Sequence, residues 1–243
     1  MAEVANVTGL PKSSAFRYLS TLEARRYVER SPASGNYQVG MALLRLQTHR
    51  FEVLRQQAMP YLVKLRDQFG ETINLGLLDR GRIYYLEIVE SQRGVRLAAR
   101  AGDRDYIHCT ALGKAISATL SEEQVLAILK AEGMPKRTPR TLITPSDFLA
   151  DLEVVKSQGF ALDDAENEPD GRCVAVSLGG SWLLAGLSLS APASRFPMED
   201  VPMVVGALNR AANELAAEAG APATSTGDWP AEVAGAPPRR QRH

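Results

Sequence analysis

The chain has 243 residues, 45% of them hydrophobic, enough for one good core and a small second domain, and its 28 Lys and Arg balance 28 Asp and Glu. Its apolar runs fall far short of the roughly 18 to 20 residues of a spanning helix, and its start lacks a charged-then-apolar signal pattern, so it reads as a cytoplasmic protein without a membrane partner. Two cysteines, Cys109 and Cys173, are too few for a disulfide framework and read as free thiols.

The first ten residues, MAEVANVTGL, read as a short positioning helix with Val4 and Val7 facing inward. Gly9 suits a left-handed helix exit and Pro11 a helix start, which together make a helix-turn-helix junction. From Pro11 onward Ala15, Leu19 and Leu22 recur at helical spacing, so one side packs; Ser13, Arg17 and Ser20 share the other, with Phe16 beside them. Tyr27 to Arg30 and Asn36 to Val39 then alternate around Ser31 to Gly35, the composition of a hairpin, or wing. Residues 1–46 hold Lys12, Arg17, Arg25, Arg26, Arg30 and Arg45 against Glu3, Glu23 and Glu29, a net of +3 in a neutral chain. A local basic patch attracts phosphate by counterion release, although charge alone also fits a merely solvated helical face.

Residues 41–69 are helical in pattern, with Pro60 expected to break or kink the helix. After Gly70, Ile73 to Leu78 and Ile83 to Val89 flank a hairpin signal at Asp79-Arg80-Gly81, and Val95 to Arg100 offers a third strand. The segment HCTALGKA leads into a helix to about Leu120, and Ser121 with Gln124 forms a capping box for another to about Glu132. Thr144 caps a helix that runs to Gly159, with Pro145 and Asp147 in its first turn. Strands are expected at Phe160 to Leu162 and Cys173 to Leu178, on either side of the acidic loop Asp163 to Gly171. Trp182 to Ser190 should pair back across Gly179-Gly180-Ser181. Glu199 to Ala219 closes the domain as a long amphipathic helix, and residues 221–243, rich in Ala, Pro, Gly and Arg, read as a disordered tail. Arg239, Arg240 and Arg242 there offer at most nonspecific DNA contact.

GLPKSSAFRYLSTLEARRYVER followed by GNYQVG resembles the winged helix of IclR-family bacterial transcription regulators. HCTALGKA at 108–115, DDAENEPDGRC at 163–173 and SLS at 188–190 resemble that family's effector-domain signatures, in the expected order. The resemblance covers roughly residues 1–220 and implies an α+β chain. A winged helix-turn-helix DNA-binding domain would occupy 1–46, a linker helix 47–69 and a GAF-like or PAS-like α/β effector-binding domain 70–220. The family's winged helix begins with a further helix for which these residues leave no room. Met1 is therefore expected not to be the native start, or else the domain relies on a partner for cover.

DNA contacts are expected from Lys12, Ser13, Ser14, Phe16, Arg17 and Ser20. Residues 47–220 carry a net charge of −4, which argues against a second DNA surface. In the resembled family that domain binds small organic acids. Amides at Thr110, Ala111 and Leu112 would face the carboxylate, as helix N-termini stabilise anions, while Asp163, Cys173, Ser188 and Ser190 supply side-chain contacts. Each has a plainer reading: the serines as wet strand residues, Cys173 as a small buried hydrophobe, and Asp163 as the cap of its own loop. The 173–188 hairpin is short, which makes the serine register the least secure part. His108 and Cys109 read as packing residues, since no other His or Cys has metal-ligand spacing to them; no metal or cofactor is expected.

The function these residues imply is an operator-binding regulator, repressor or activator, acting as a homodimer or homotetramer. A small organic acid would shift the relative placement of its winged helices. A sensor module without competent DNA binding is the alternative. A cysteine hydrolase built on His108, Asp163 and Cys173 is a poor third, because no nucleophile elbow surrounds Cys173.

Overall fold

The computed structural model describes residue 4 and residues 7–31, 35–97, 99–179 and 184–218, with only the backbone for 41–50. The wing tip at 32–34, the expected turn at Gly180-Ser181 with the strand start at Trp182, and the tail from 221 lie outside the described residues. The chain divides into two compact units, Met1–Leu54 and Arg55–His243.

In the first unit Gly9 takes φ +66° and Pro11 sits just ahead of helix α1, Lys12–Ala24, rather than inside its first turn. Ala15 and Leu19, one turn apart, are the helix's buried side chains. Strands β1, Val28–Arg30, and β2, Tyr37–Val39, pair antiparallel with Glu29 opposite Gln38. Two expected core positions differ: Val7 is 84% exposed and Leu22 40%. A unit this small buries a modest share of its surface, and side chains at the ends of its helices stay wet.

Helix α2, Met41–Phe69, runs continuously through Pro60 instead of stopping there. A proline inside a helix costs about 3 kcal/mol. The fully buried Ala58 and Leu62, with Leu65 a turn further on, offset that cost, since each large buried side chain contributes roughly 1.5 to 3 kcal/mol.

The second unit is built on a six-stranded antiparallel sheet. Its strands are β3, Thr72–Asp79; β4, Arg82–Val89; β5, Arg104–Tyr106; β6, Ala161–Asp164; β7, Gly171–Ser177; and β8, Ala185–Pro192, in the spatial order β5-β4-β3-β8-β7-β6. The third strand is therefore Arg104–Tyr106 and not 95–100, whose described residues form bends and irregular chain. Helix α3 spans Ala111–Ser117 and stops short of Leu120; α4 is Glu122–Glu132, α5 Pro145–Gln158 and α6 Val201–Glu218. Both predicted caps form: Ser121 and Gln124 complete the capping box, and Thr144 accepts from the Asp147 amide.

Period-two alternation separates the sheet's two faces. Ile73, Leu75, Val174, Val176, Leu187 and Leu189 lie on one face and are fully buried. The opposite face carries Asn74 and Gly76 on β3, Cys173 and Ala175 on β7, and Gly186, Ser188 and Ser190 on β8, aligned by the pairs Asn74–Ser188, Cys173–Ser190 and Ala175–Ser188. These small and polar side chains leave room above the sheet. Part of the room is taken by α3, whose Leu112 seats against the bare backbones of Gly76 and Gly186. The close approach also demands Gly113: a Cβ there would lie 2.3 Å from the Ile107 carbonyl oxygen.

Candidate functional site

On α1 the burial of Ala15 and Leu19 turns the opposite side to solvent. Lys12, Ser13, Phe16 and Arg17 are exposed there, while Ser14 and Ser20 are half-buried. The Arg17 guanidinium lies 5.7 Å from the centre of the exposed Tyr18 ring, a cation-π distance. Tyr18 was not singled out from the sequence, and its signal was an aromatic residue off the apolar stripe. A flat cation, small hydroxyls and exposed rings on one helix suit base edges and phosphates.

In the second unit the free part of the polar sheet face opens into a cavity of about 540 Å³. Asp163, Cys173 and Ser190, three of the positions carried over from the resemblance, line it, and the register puts Cys173 opposite both Asp163 and Ser190. Ser188 shares their face but is buried and absent from the lining. Its hydroxyl, like that of Ser190, takes a 3.0 Å hydrogen bond from Asn74 Nδ2. Thr110, Ala111 and Leu112 are also absent from the lining and buried. The cause is local: the Thr110 hydroxyl accepts from the Gly113 amide and donates to the Tyr106 carbonyl, and Leu112 is spent on the two glycines.

Several lining residues escaped the sequence reading, among them Asn74, Tyr85, Asp105, Arg137 and Asn167. Asn74 carried the clearest signal, an amide in the middle of an apolar strand, which must find partners when buried. Asn167 was unreadable, because its side chain depends on two groups distant in sequence: its Nδ2 donates to Asp105 and its Oδ1 accepts from the Cys109 thiol, while its backbone N–H donates locally to Asp163 Oδ1.

Burial dominates the electrostatics. It pushes the Asp163 carboxyl up to about 7, against the two backbone amides, of Glu166 and Asn167, that favour the charged form. The same desolvation raises Cys173 and Cys109, so neither is an activated thiol, and lowers His108, whose neutral ring faces the Pro135 carbonyl at 3.1 Å. Among the described residues no three His, Cys, Asp or Glu gather in a way that could hold a metal ion.

The acidic loop that walls the cavity is held from beneath. Lys114, 1% exposed, lies 2.7 Å from Glu166 and 3.3 Å from Asp151. Thr138 and Thr141 donate to the Ala165 and Glu166 carbonyl oxygens at 2.6 and 2.7 Å. Asp163, Asn167 and Glu168 are thereby presented on one fixed edge.

Residues 47–217 match the family model for the IclR C-terminal domain of bacterial transcriptional regulators, and residues 1–32 match the IclR helix-turn-helix domain. The HTH-type transcriptional regulator XynR of Escherichia coli K12 is 34% identical over 201 residues, covering 80% of this chain and 79% of XynR. The crystal structure of the Thermotoga maritima IclR superposes with a TM-score of 0.66 at 28% identity, covering 90% of each chain. An IclR homologue from Microbacterium hydrocarbonoxydans, complexed with 4-hydroxybenzoate, shares the fold at 22% identity and a TM-score of 0.64, covering 91% of each chain. The relatives are regulators rather than enzymes, and with a winged helix-turn-helix ahead of an α/β domain, this chain belongs to the IclR family of DNA-binding bacterial transcriptional regulators.

Proposed function

We propose that this regulator binds an operator through the exposed side of α1 and that a small organic acid, held in the second unit's cavity, controls that binding. The observation that carries the reading is the cavity itself: a 540 Å³ space lined by Asn74, Asp163, Cys173 and Ser190, which offer an amide, a carboxyl, a thiol and a hydroxyl on one sheet face. The 4-hydroxybenzoate carried by the Microbacterium homologue supports an acid as the occupant. Lys12, Ser13, Ser14, Phe16, Arg17 and Ser20 are the DNA-side residues; Thr110, Ala111, Leu112 and Ser188 act by supporting the cavity rather than by touching its contents.

The control is a population shift. An effector moves the operator-binding equilibrium only by its differential affinity for the two states, typically about 1 to 3 kcal/mol of coupling. The protein acts as a homodimer or homotetramer, so that paired winged helices read paired half-sites. The test is a fluorescence-anisotropy titration of operator DNA with and without a panel of keto, hydroxy and aromatic acids, with sedimentation of the same samples. An operator affinity that no acid alters refutes effector control, and a monomer on DNA refutes the assembly.

A further inference from the structure

Among the three arginines that line the cavity, Arg96 and Arg104 are committed elsewhere. Arg96 binds Glu90 at 2.7 Å, and Arg104 binds both the Asp79 carboxylate and its carbonyl oxygen. All three pairs are solvent-exposed, but Arg137 differs in distance and in partner: its guanidinium stands 3.6 Å from Glu168, against 2.7 Å for Arg96 and Glu90, and Glu168 itself lies in the cavity lining. Such a loose, wet pair is weakly held and readily exchanged. The backbone beneath it is not loose. The Arg137 amide donates to the Thr141 hydroxyl, which in turn donates to the Glu166 carbonyl oxygen, so the loop bearing Arg137 is stapled to the loop bearing Glu168.

Resting on the effector reading above, we propose that Arg137 is the anchor for the effector's carboxylate and that Glu168 is its built-in competitor, occupying the guanidinium until the ligand displaces it. A guanidinium offers paired N–H donors that match a carboxylate edge, and a ligand joined to the cavity by further contacts outcompetes a single surface glutamate. The far end of the same ligand meets Asn74, Cys173 and Ser190, which suit hydroxyl or oxo groups. Asp103, Asp105, Asp163 and Glu168 line the same space and disfavour a second negative charge. The ligand class is therefore a monocarboxylic acid bearing hydroxyl or oxo groups.

The test is isothermal titration of the full 243-residue chain, as wild type, R137Q, R137K and E168Q, with gluconate, pyruvate, 4-hydroxybenzoate, acetate and the dianion succinate, up to tens of millimolar. The expected result is that the best monocarboxylate loses roughly 10-fold or more in affinity in R137Q, keeps part of it in R137K and gains several-fold in E168Q. Succinate should bind more weakly than that acid throughout. A gain in E168Q is not something a folding defect produces. Equal affinity for wild type and R137Q overturns the anchor while leaving effector binding in place. Failure of every acid to bind both wild type and E168Q overturns the anchor and the effector reading together.

Discussion

Lys114 Nζ lies 2.7 Å from Glu166 Oε1, and this contact joins the buried helix α3 to the acidic loop that walls the cavity. The lysine follows Gly113, the residue that lets α3 approach the 107 backbone, so one short motif both seats the helix and tethers the loop. Lys114 is not itself a lining residue. Its role is to fix Asp163, Asn167 and Glu168 by fixing the residue between them.

Lys114→Met should therefore be costly. It removes the charge that compensates a buried Glu166, and breaking a buried pair from one side destabilises by about 3 to 5 kcal/mol. Burial already raises the Glu166 carboxyl, with Lys114 opposing that rise, so the variant glutamate should titrate still higher. Urea unfolding followed by tryptophan fluorescence and far-UV dichroism measures the loss. A midpoint equal to wild type would show that Lys114 is dispensable for the second unit.

On the DNA side, Arg17→Ala should weaken operator binding by about 1 to 3 kcal/mol if the guanidinium reads a base. Folding should be untouched, because Arg17 is exposed and the helix is held by Ala15 and Leu19. The check is operator affinity at fixed salt, with a salt titration to separate base from phosphate contact. Affinity unchanged at every salt concentration removes Arg17 from the interface.

The two serines should separate. Ser190→Ala takes a hydroxyl out of the cavity lining, and losing one hydrogen bond to a neutral hydroxyl or oxo group of the ligand costs about 0.5 to 1.5 kcal/mol, or roughly 2- to 10-fold in affinity. Ser188→Ala removes only an internal partner of Asn74 and should shift stability more than affinity. Calorimetric titration of both variants with the same acid distinguishes them, and equal losses would mean that the cavity boundary is drawn wrongly.

Asp163 gives the pH dependence. Its carboxyl is raised by burial from 3.8 to about 7, so between those values the folded chain holds a proton that the unfolded chain has released. Stability contributed by this group is full below pH 4, falls as pH rises toward 7, and is level above it. Binding of an acid should follow the same sign, weakening by up to about tenfold per pH unit above 7 as Asp163 becomes a second negative charge beside the ligand. Glu166 and Lys114 are the charged groups that tune the point of inflection. Asp163→Asn should flatten both profiles; a profile that keeps its slope in that variant assigns the titration to another group.

Local rules in the sequence determined most of the elements of this protein. The capping box at Ser121, the helix cap at Thr144, the hairpin signals around Asp79 to Gly81, and the helical spacing of Ala15 and Leu19 depend on neighbours within a few residues, and those came out where the spacing placed them. Asp163, Cys173 and Ser190 followed from no local rule: the family resemblance grouped them, and the strand register sets them side by side. What the tertiary structure decided was which groups face the cavity. Pro60 stays inside a helix because Ala58, Leu62 and Leu65 on the same helix are buried. Leu112 turns away from the cavity because Gly76 and Gly186, 36 and 74 residues distant in sequence, offer it a seat. Arg137 and Glu168 meet only because two threonines staple their loops together. Spacing along the chain encodes periodicity and caps, but a cavity wall is a sum of long-range contacts, and no local pattern carries them.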